Sequence, residues 1–397
     1  MSVPARQRAV IVGIGETQYF KRGGAAGETE QSLAVQAIRA ASADAGLDHH
    51  EVDGLVSYDN DMRGTAAYGA ALLQVLLGLP RLRHAAFVWC SGGGGGAAAV
   101  SIAASAIESG RARYVCAFRS IRQTEDVRYG QYNPDRPFYN WNAPFDLYAP
   151  APMFALHMQR YMHVYKATSD HLAEVALSAR ANANRNPRAL FYRKPMTKAD
   201  YLASRMVADP YRLFDCCLES DGATAVLVTT AERARDLRGK AVPIVAATQG
   251  SDLGWGGGVL SGFNMPERTF TTGNLTGLAE DLYAIAQLTP ADIDVAQIYD
   301  AFTGNVLVTL EDYGFCGRGE GGPFVASGAI RWPDGAIPVN TAGGLLSEAY
   351  IHGFNLITEG VRQMRGESTS QVQAAELCLV ASSQALSPSS GLILGRA

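Results

Sequence analysis

Short apolar runs alternate with longer amphipathic segments in the first part of the chain. Residues 9–13 form a continuous apolar run, which predicts a buried strand. Apolar residues recur at helical spacing over 32–45, and Gly46 follows as a helix stop. Two further short segments, 52–57 and 85–89, predict strands. The alternation predicts an α/β fold in which helices pack on a sheet.

A run of five glycines, residues 92–96, follows the strand predicted at 85–89. An Ala-rich segment at 97–109 comes next and ends at Gly110, which predicts a helix. No Lys-Ser/Thr pair follows the glycines, so the run is not a Walker phosphate loop. Two interpretations stay open: the turn presents a helix N-terminus to developing negative charge, or it only permits close packing of helix on sheet.

Residues 120–210 interrupt this alternation and are rich in Tyr, Pro, Asn and Arg. Helical patterns at 153–165 and 172–184 lie within them. The segment predicts a cap or loop domain inserted into the first half of the chain. Its Tyr- and Pro-rich portion, 120–165, is a candidate for covering a site or meeting a partner, and an ordinary packed cap is the alternative.

The second half repeats the plan of the first. The chain therefore divides into two βα halves, residues 1–232 and 233–397, with the cap in the first. The predicted strands of the second half are 243–247, 295–299, 376–381 and 391–394, and its predicted helices are 278–286, 302–313 and about 350–364.

Composition limits the classes of function. The 397 residues are 47% hydrophobic and 18% charged, which is typical of a globular protein with a large core. A net charge of −4 gives no electrostatic reason to expect nucleic-acid binding. No apolar run is long enough to span a membrane, and the N-terminus lacks a signal-peptide core. We therefore expect a cytoplasmic protein with reduced thiols.

Three further motifs have simple interpretations. The six cysteines include no CxxC pair and the seven histidines no HxH or HxxxH pair, so no metal site is expected. Gly13-Ile14-Gly15 lacks the third glycine and the helix of a dinucleotide fingerprint, which favours a plain strand-to-loop turn. Cys90, at a strand end, is a candidate nucleophile, with a buried structural cysteine as the alternative.

Two tyrosines stand where apolar runs give way to loops. Tyr299 is followed by Asp300, and Tyr350 is followed two residues later by His352. From these residues alone, packing with a solvated hydroxyl is the simpler interpretation. Proton transfer by the phenols is the alternative.

Motifs in both halves change that balance. They are Cys217-Leu-Glu-Ser-Asp-Gly222, Asn340-x-x-Gly343-Gly344 and Tyr299-Asp-Ala-Phe302. With them the whole chain resembles the thiolase superfamily, in particular its lipid-transfer-protein (sterol carrier protein x) branch. The resemblance implies the thiolase fold: two pseudo-repeated βαβαβαββ halves that form a layered α-β-α-β-α core, with an inserted cap or loop domain.

The chain departs from the thiolase pattern at each reactive position. The nucleophilic cysteine position falls on Gly93, the histidine of Gly-His-Pro falls on Tyr350, and the asparagine of Asn-Glu-Ala-Phe falls on Tyr299. The closing hairpin, residues 381–387, carries no second cysteine. This combination resembles the thiolase-like aldolases of bacterial steroid side-chain degradation, which pair with proteins that carry a DUF35 domain.

That resemblance implies retro-aldol cleavage of a β-hydroxy acyl-CoA, such as a 17-hydroxy steroid side-chain thioester, to a 17-ketosteroid and propionyl-CoA. Tyr299 and Tyr350 would transfer the protons, and Asp300 and His352 would support them. No cofactor, metal or Schiff base is expected, since the substrate carries its coenzyme A. The opening at Gly93 would leave room for a branched β-carbon.

The same resemblance gives the remaining expectations. Gly93, Gly343 and Gly344 would line the oxyanion and substrate pocket. The assembly would be a homodimer that binds a DUF35 protein, giving a heterotetramer. Two alternatives stay open: an acyltransferase or thiolase that uses Cys90, and a non-catalytic scaffold that binds acyl-CoA.

Overall fold

The computed structural model describes residues 7–59, 69–90, 92–123, 143–147, 149–252, 270–382 and 388–397. Helices and strands alternate through both halves of these residues. The helices are α1 (Glu30–Ala45), α2 (Ala70–Leu77), α3 (Gly95–Glu108), α4 (Pro150–Tyr165), α5 (Ser169–Arg185), α6 (Lys198–Ala203), α7 (Ala231–Ala234), α8 (Thr276–Ala286), α9 (Thr303–Asp312), α10 (Gly321–Ala326), α11 (Gly344–Ser347) and α12 (Phe354–Arg365).

The strands form one path across both halves of the chain. The strands are β1 (Ala9–Glu16), β2 (Phe20–Lys21), β3 (Gly54–Asp59), β4 (His84–Trp89), β5 (Val115–Ile121), β6 (Met206–Ala208), β7 (Tyr211–Arg212), β8 (Ser220–Thr230), β9 (Val242–Gly250), β10 (Val295–Ile298), β11 (Leu377–Ser382) and β12 (Ser389–Gly395). The order along the path is β10-β11-β12-β9-β1-β8-β5-β3-β4, with β2 beside β8, and β6 and β7 form a separate hairpin.

Two helices lie between the two halves of this path. Both α3 and α12 contact strands of the N-terminal half and strands of the C-terminal half. On the outer faces, α1 packs on β1 and β8, and α8 packs on β9 and β12. The order of layers is therefore α-β-α-β-α, and the predicted thiolase fold is confirmed. The apolar face of each sheet half is buried against the shared central helices.

The central helices α3 and α12 differ in the residue types that allow them to be buried. Most of α3 is Gly and Ala, whose small side chains let the helix approach strands on both sides. All twelve residues of α12 are buried, although they include Glu359, Arg362 and Arg365. Charged residues are rarely fully buried unless they are paired, so α12 depends on partners for its charges.

Gly13 and Gly15 have a packing role. A Cβ at Gly13 would lie 2.0 Å from the Ala41 carbonyl oxygen, and one at Gly15 would lie 2.1 Å from that of Ala37. The two glycines therefore allow α1 to lie directly against β1. The strand-to-loop turn expected here is wrong, because Gly13 and Gly15 lie within β1 and pair with β8; close packing against α1 explains the two glycines.

The cap elements α4, α5, α6 and the β6–β7 hairpin all lie in the chain between β5 and β8, which are antiparallel neighbours in the sheet. Of the segment 120–165 that was predicted to cover a site or meet a partner, residues 124–142 and 148 lie outside the described residues. The division of the chain at residue 232 stays a prediction.

One predicted element is wrong at its start. The last long helix begins at Phe354, not near Tyr350. His352 and Gly353 have φ angles of 52° and 82°, which a right-handed helix excludes. The run Ala349-Tyr350-Ile351 is apolar and buried like a helix face, but it lies in the turn before the helix. No helix in the described part of the chain is long and apolar enough to cross a membrane.

A buried ion pair ties α12 to the N-terminal half. Arg362 pairs with the Glu16 carboxylate at the end of β1, and Thr358 donates its hydroxyl to Glu16 Oε1 at 2.6 Å. Burial alone would raise the pKa of Glu16, but the Arg362 guanidinium lowers it to about 2. The pair is therefore ionised at neutral pH, and each charge depends on the other for its stabilisation.

Replacing Arg362 by Met should destabilise the fold, because it leaves the Glu16 charge buried without its closest partner. We expect Arg362→Met to lower the free energy of unfolding by about 3 kcal/mol or more. The measurement is urea denaturation at neutral pH. The matched control is Arg396→Met, which breaks the exposed pair with Glu376 and should cost less than about 1 kcal/mol. Equal losses in the two variants would contradict the role given to the buried pair.

Candidate active site

The structure brings the two tyrosines into contact. The hydroxyl oxygens of Tyr299 and Tyr350 lie 2.9 Å apart, so one phenol donates a hydrogen bond to the other. Their ring centroids are 6.4 Å apart at an interplanar angle of 68°. Only 3% of Tyr299 and 7% of Tyr350 is exposed. Residues 51 positions apart in the sequence thus form one buried proton-sharing pair.

Each tyrosine is held through its backbone. Tyr299 directly follows β10, and its N–H donates to the Ala381 carbonyl at 3.0 Å, which continues the parallel pairing of β10 with β11. The Tyr350 N–H donates to Ser220 Oγ at 2.7 Å, and the Ser220 hydroxyl donates to the Tyr350 carbonyl at 3.1 Å. Ser220 is the serine of the Ser-Asp-Gly motif, and this reciprocal contact gives the motif a structural reason.

The turn that carries Tyr350 is fixed on its other side by a buried carboxylate. Glu348 accepts hydrogen bonds from the side-chain amides of Asn186 at 3.0 Å and Asn355 at 2.9 Å. Burial raises the pKa of Glu348 to about 8. The cap, through Asn186, and the central helix α12, through Asn355, therefore both hold the turn.

Gly93 lies directly against the ring of Tyr299. A Cβ at Gly93 would lie 1.9 Å from Tyr299 Cε2, and one at Gly353 would lie 2.7 Å from Tyr299 Cδ2. The ring thus fills the space that a side chain at position 93 would need. The expected opening for a branched β-carbon is wrong, because the phenol of Tyr299 occupies it.

Asp300 faces the Gly343-Gly344 turn. Its Oδ1 accepts the Leu345 N–H at 2.7 Å, and its Oδ2 accepts the Leu346 N–H at 3.4 Å. Burial raises the pKa of Asp300 to about 7, and these N–H groups oppose the shift. Asp300 caps the first turn of α11 and so orders the loop; the support that it would give to proton transfer stays a prediction.

The two glycines of the turn are required by close contacts. Their φ angles are 113° at Gly343 and 60° at Gly344. A Cβ would lie 2.5 Å from Ala183 Cβ at the first and 2.2 Å from Asp300 Oδ2 at the second. Close packing against the cap at Gly343 and against Asp300 at Gly344 explains why both residues are glycine. That they also line an oxyanion pocket stays a prediction.

His352 lies beside the tyrosine pair and is completely buried. Its ring centroid is 5.3 Å from that of Tyr350, at 68°. Arg119 Nε donates to His352 Nδ1 at 3.3 Å, and the Tyr58 hydroxyl donates to the His352 carbonyl at 2.7 Å. Both supporting residues come from the N-terminal half of the chain.

The sequence patterns did not identify Arg119 and Tyr58. A signal was present for Arg119, because it is the one charged residue in the buried run of β5, Val115–Ile121. A charge inside such a run indicates a specific partner. Tyr58 carries no such signal, since an aromatic residue near the end of a strand is common.

Cys90 packs under the start of α3. It is 8% exposed, and a Cβ at Gly95 would lie 2.5 Å from its sulfur. The same Cβ would also lie 2.5 Å from Cγ of the Tyr58 ring. Cys90 therefore lies in the packing between β3 and α3, which favours its interpretation as a structural cysteine.

Among the described residues, one group of three side chains is close enough to share a metal ion: Asp48, His49 and His50. This group follows α1 in sequence and includes none of the side chains at the tyrosine pair. What the tyrosine site itself offers is a buried pair of hydroxyls that can exchange a proton, beside a histidine whose position is fixed.

Comparisons with known proteins show the family of this chain. The family model described as "Thiolase C-terminal domain-like" matches residues 260–396. A 17-hydroxy-3-oxo-4-pregnene-20-carboxyl-CoA lyase of Mycobacterium tuberculosis is 41% identical over 98% of this chain and 99% of its own length. A steroid side-chain-cleaving aldolase of Thermomonospora curvata is 40% identical, over 98% and 97% respectively.

Solved structures show the same relationship. The structure described as "Ltp2-ChsH2(DUF35) aldolase" superposes with a TM-score of 0.89 at 39% identity, covering 100% of this chain and 99% of the other. Human mitochondrial 3-ketoacyl-CoA thiolase gives a TM-score of 0.71 at 14% identity over 99% and 100%, which shows the shared fold alone. The chain belongs to the thiolase superfamily, in the branch of the steroid side-chain-cleaving aldolases.

Proposed function

We propose that this protein catalyses retro-aldol cleavage of a β-hydroxy acyl-CoA, with a 17-hydroxy steroid side-chain thioester as substrate and a 17-ketosteroid and propionyl-CoA as products. The observation that carries the proposal is the Tyr299–Tyr350 hydroxyl pair at 2.9 Å. Tyr299 fills the space beside Gly93, where the thiolase relatives would place their nucleophile. The printed names of the relatives at 40% and 41% identity support the substrate class.

The first step breaks the carbon–carbon bond. One phenol, as phenolate, removes the proton of the substrate's β-hydroxyl group. The oxygen lone pair forms the ketone as the bond between the α- and β-carbons breaks, and that electron pair moves into the thioester as an enolate. No covalent enzyme intermediate is needed, which agrees with a glycine at position 93.

The second step restores the protonation state. The other phenol protonates the α-carbon of the enolate, which gives the short acyl-CoA. The two hydroxyl groups, 2.9 Å apart, then pass the proton from one oxygen to the other. A free tyrosine titrates near pH 10, so a hydrogen bond donated to the phenolate is needed to favour its charged form. The neighbouring phenol supplies this bond.

The enolate oxygen needs stabilisation as well. Helix α3 begins at Gly95, two residues after Gly93, and the first turn of a helix has N–H groups without helical partners. Such groups favour a negative oxygen. The Ala97 N–H of this turn already donates to Ser382 Oγ at 3.0 Å. We propose the remaining N–H groups of the turn for the oxyanion site, with coenzyme A supplied by the substrate and with neither a further cofactor nor a Schiff-base lysine.

The acyltransferase alternative depends on Cys90. Its packing beneath Gly95 gives the sulfur no position equivalent to a nucleophile at residue 93. The scaffold alternative does not explain why two phenols share a buried hydrogen bond. Retro-aldol chemistry needs no thiol nucleophile and uses both phenols, so we favour it.

A second copy of the chain is the proposed partner for β4. This strand is at the end of the sheet path, and among the described strands it pairs with β3 alone. Trp89 is 93% exposed and Phe87 54% exposed on it. Open edge strands with apolar side chains are normally covered. A two-fold axis beside β4 would pair the strand with its own copy and bury both side chains.

A DUF35-domain protein is the second proposed partner, because the structure that superposes at TM-score 0.89 is described as an aldolase with a DUF35 component. A homodimer with one such protein on each chain would be a heterotetramer. We further propose a cytoplasmic location, which suits a substrate that carries coenzyme A.

The function is tested by incubating the protein, with and without a DUF35 partner, with a panel of β-hydroxy acyl-CoAs and detecting ketone and short acyl-CoA by mass. We expect cleavage of the steroid thioester. Tyr299→Phe and Tyr350→Phe should each lower kcat by about 100-fold or more, because each removes a proton-transfer group.

The control for these variants is Tyr283→Phe, which removes a buried hydroxyl that donates to the Tyr313 carbonyl on the outer side of the fold. It should retain wild-type turnover. Near-normal rates in both Tyr299→Phe and Tyr350→Phe would reject the mechanism. Alkylation at Cys90 that abolishes turnover would favour the acyltransferase, and tight acyl-CoA binding without any product would favour the scaffold.

A methyl group at position 93 should displace the catalytic phenol. Gly93→Ala would place a carbon 1.9 Å from Tyr299 Cε2, so the ring must move and the hydroxyl pair must separate. We expect kcat to fall at least tenfold, measured in the same product assay. Gly69→Ala is the control, because no atom of the described residues lies within 4 Å of its Cβ position. Wild-type turnover by Gly93→Ala would show that Tyr299 does not need this space.

Charged substitutions on β4 should separate the dimer. We expect Phe87→Glu combined with Trp89→Glu to elute as a monomer of 42.3 kDa, and the wild type to have twice that mass, measured by light scattering after gel filtration. Two like charges would face each other across the two-fold axis. Ile285→Glu, at a residue that is 57% exposed on α8, should leave the dimer intact. A monomeric wild type would reject this interface.

A further inference from the structure

Arg119 is a buried cation next to the tyrosine site. It lies on β5 with 3% of its surface exposed. Its guanidinium carbon is 5.5 Å from the centroid of the Tyr58 ring, and its Nε donates to His352 Nδ1 at 3.3 Å. Burying a guanidinium charge costs free energy, so a buried arginine this close to the site indicates a functional role.

The contact fixes the hydrogen-bonding pattern of the imidazole. An arginine guanidinium has only N–H donors and stays protonated in proteins. Since Arg119 Nε donates, His352 Nδ1 must present its lone pair, and the proton of a neutral ring is then on Nε2. A second proton on Nδ1 would place two N–H donors against each other. It would also place the positive charge of the imidazolium beside that of the guanidinium.

His352 is also fixed by its backbone. Its φ angle is 52°, and the Tyr58 hydroxyl donates to its carbonyl at 2.7 Å. The ring therefore has little freedom beside Tyr350, whose centroid is 5.3 Å away. Tyr58 on β3 and Arg119 on β5 thus fix the position of His352, which follows Tyr350 by two residues.

We propose that Arg119 is a positioning residue that holds His352 as a neutral hydrogen-bond donor, with its proton on Nε2, beside the tyrosine pair. His352 is then not the base of the reaction; it donates an N–H to the negative charge that develops there. The fixed guanidinium charge favours the same phenolate and enolate. This role rests on the proposed retro-aldol function.

Three variants at His352 separate the roles that the ring can have. Gln offers an acceptor and an N–H donor but no base, Leu offers neither, and Ala removes the ring. We expect His352→Gln to keep kcat within about tenfold of the wild type and both His352→Leu and His352→Ala to lose about 100-fold or more, as for the removal of a donor to developing negative charge. If Gln is as poor as Leu, His352 is a base; if Leu is fully active, it only packs. Either result rejects the proposal.

The matching variants at Arg119 test the positioning. Arg119→Met should lower kcat at least tenfold with KM within about twofold, because a remote support changes the transition state more than binding. Arg119→Lys should recover part of the loss. Arg113→Met is the control: it removes the same charge near the other end of the β5 region, where the guanidinium lies 5.6 Å from the Tyr114 ring. Equal effects at both arginines would reject the role.

A spectroscopic measurement decides the question without turnover. In protein labelled with ¹⁵N in the histidine rings, the His352 signal, identified by its absence in His352→Gln, should show the proton on Nε2 at neutral pH. Arg119→Met should shift the Nδ1 signal, because this nitrogen loses its hydrogen-bond donor. A proton on Nδ1 in the wild type, or an unchanged signal in Arg119→Met, would overturn the proposal. If the wild type cleaves no substrate, the proposed function fails, but this measurement still tests the Arg119–His352 contact.

Discussion

The hydrogen bond between the hydroxyls of Tyr299 and Tyr350, at 2.9 Å, is the contact on which the rest of the site depends. It forms because two glycines, Gly93 and Gly353, leave room for the Tyr299 ring. It also needs Ser220, which holds the backbone of Tyr350 through two hydrogen bonds. Each of these requirements concerns either the space available to a side chain or a hydrogen bond to the backbone. Their combination gives a buried pair of hydroxyl groups within hydrogen-bonding distance of each other.

The site is built from both halves of the fold. Tyr299 and the Tyr350 turn come from the C-terminal half, while Tyr58 and Arg119 come from strands of the N-terminal half. The central helices α3 and α12 lie between the halves, and the Glu16–Arg362 ion pair fixes α12 to β1. A change in how the halves pack would therefore alter the distances from Tyr58 and Arg119 to the Tyr350 turn as well as the stability of the core.

The chemistry follows from a replacement within an inherited pocket. A thiolase-type pocket stabilises an enolate and uses a thiol to carry the acyl group. The resemblance to thiolases places the position of the thiol at Gly93, and the phenol of Tyr299 occupies the space beside that glycine. Enolate stabilisation is useful for any reaction that forms or breaks a carbon–carbon bond next to a thioester. Two phenols in place of thiol and imidazole therefore favour proton transfer without a covalent intermediate.

Much of the fold could be predicted from the sequence, because apolar periodicity and glycine positions are local properties: they located α1, α3, most of the strands, and both tyrosines at the ends of apolar runs. The pattern failed at the start of α12, since Tyr350 is buried in a turn that looks helical in sequence. Tyr58 was missed, and Gly93 was wrongly expected to be an opening, because contacts between residues more than 200 positions apart leave no local signal. Arg119 stood out as a charge in a buried strand, but its partner His352 could not be found from the sequence. Only the tertiary structure decided which side chain fills the space beside Gly93.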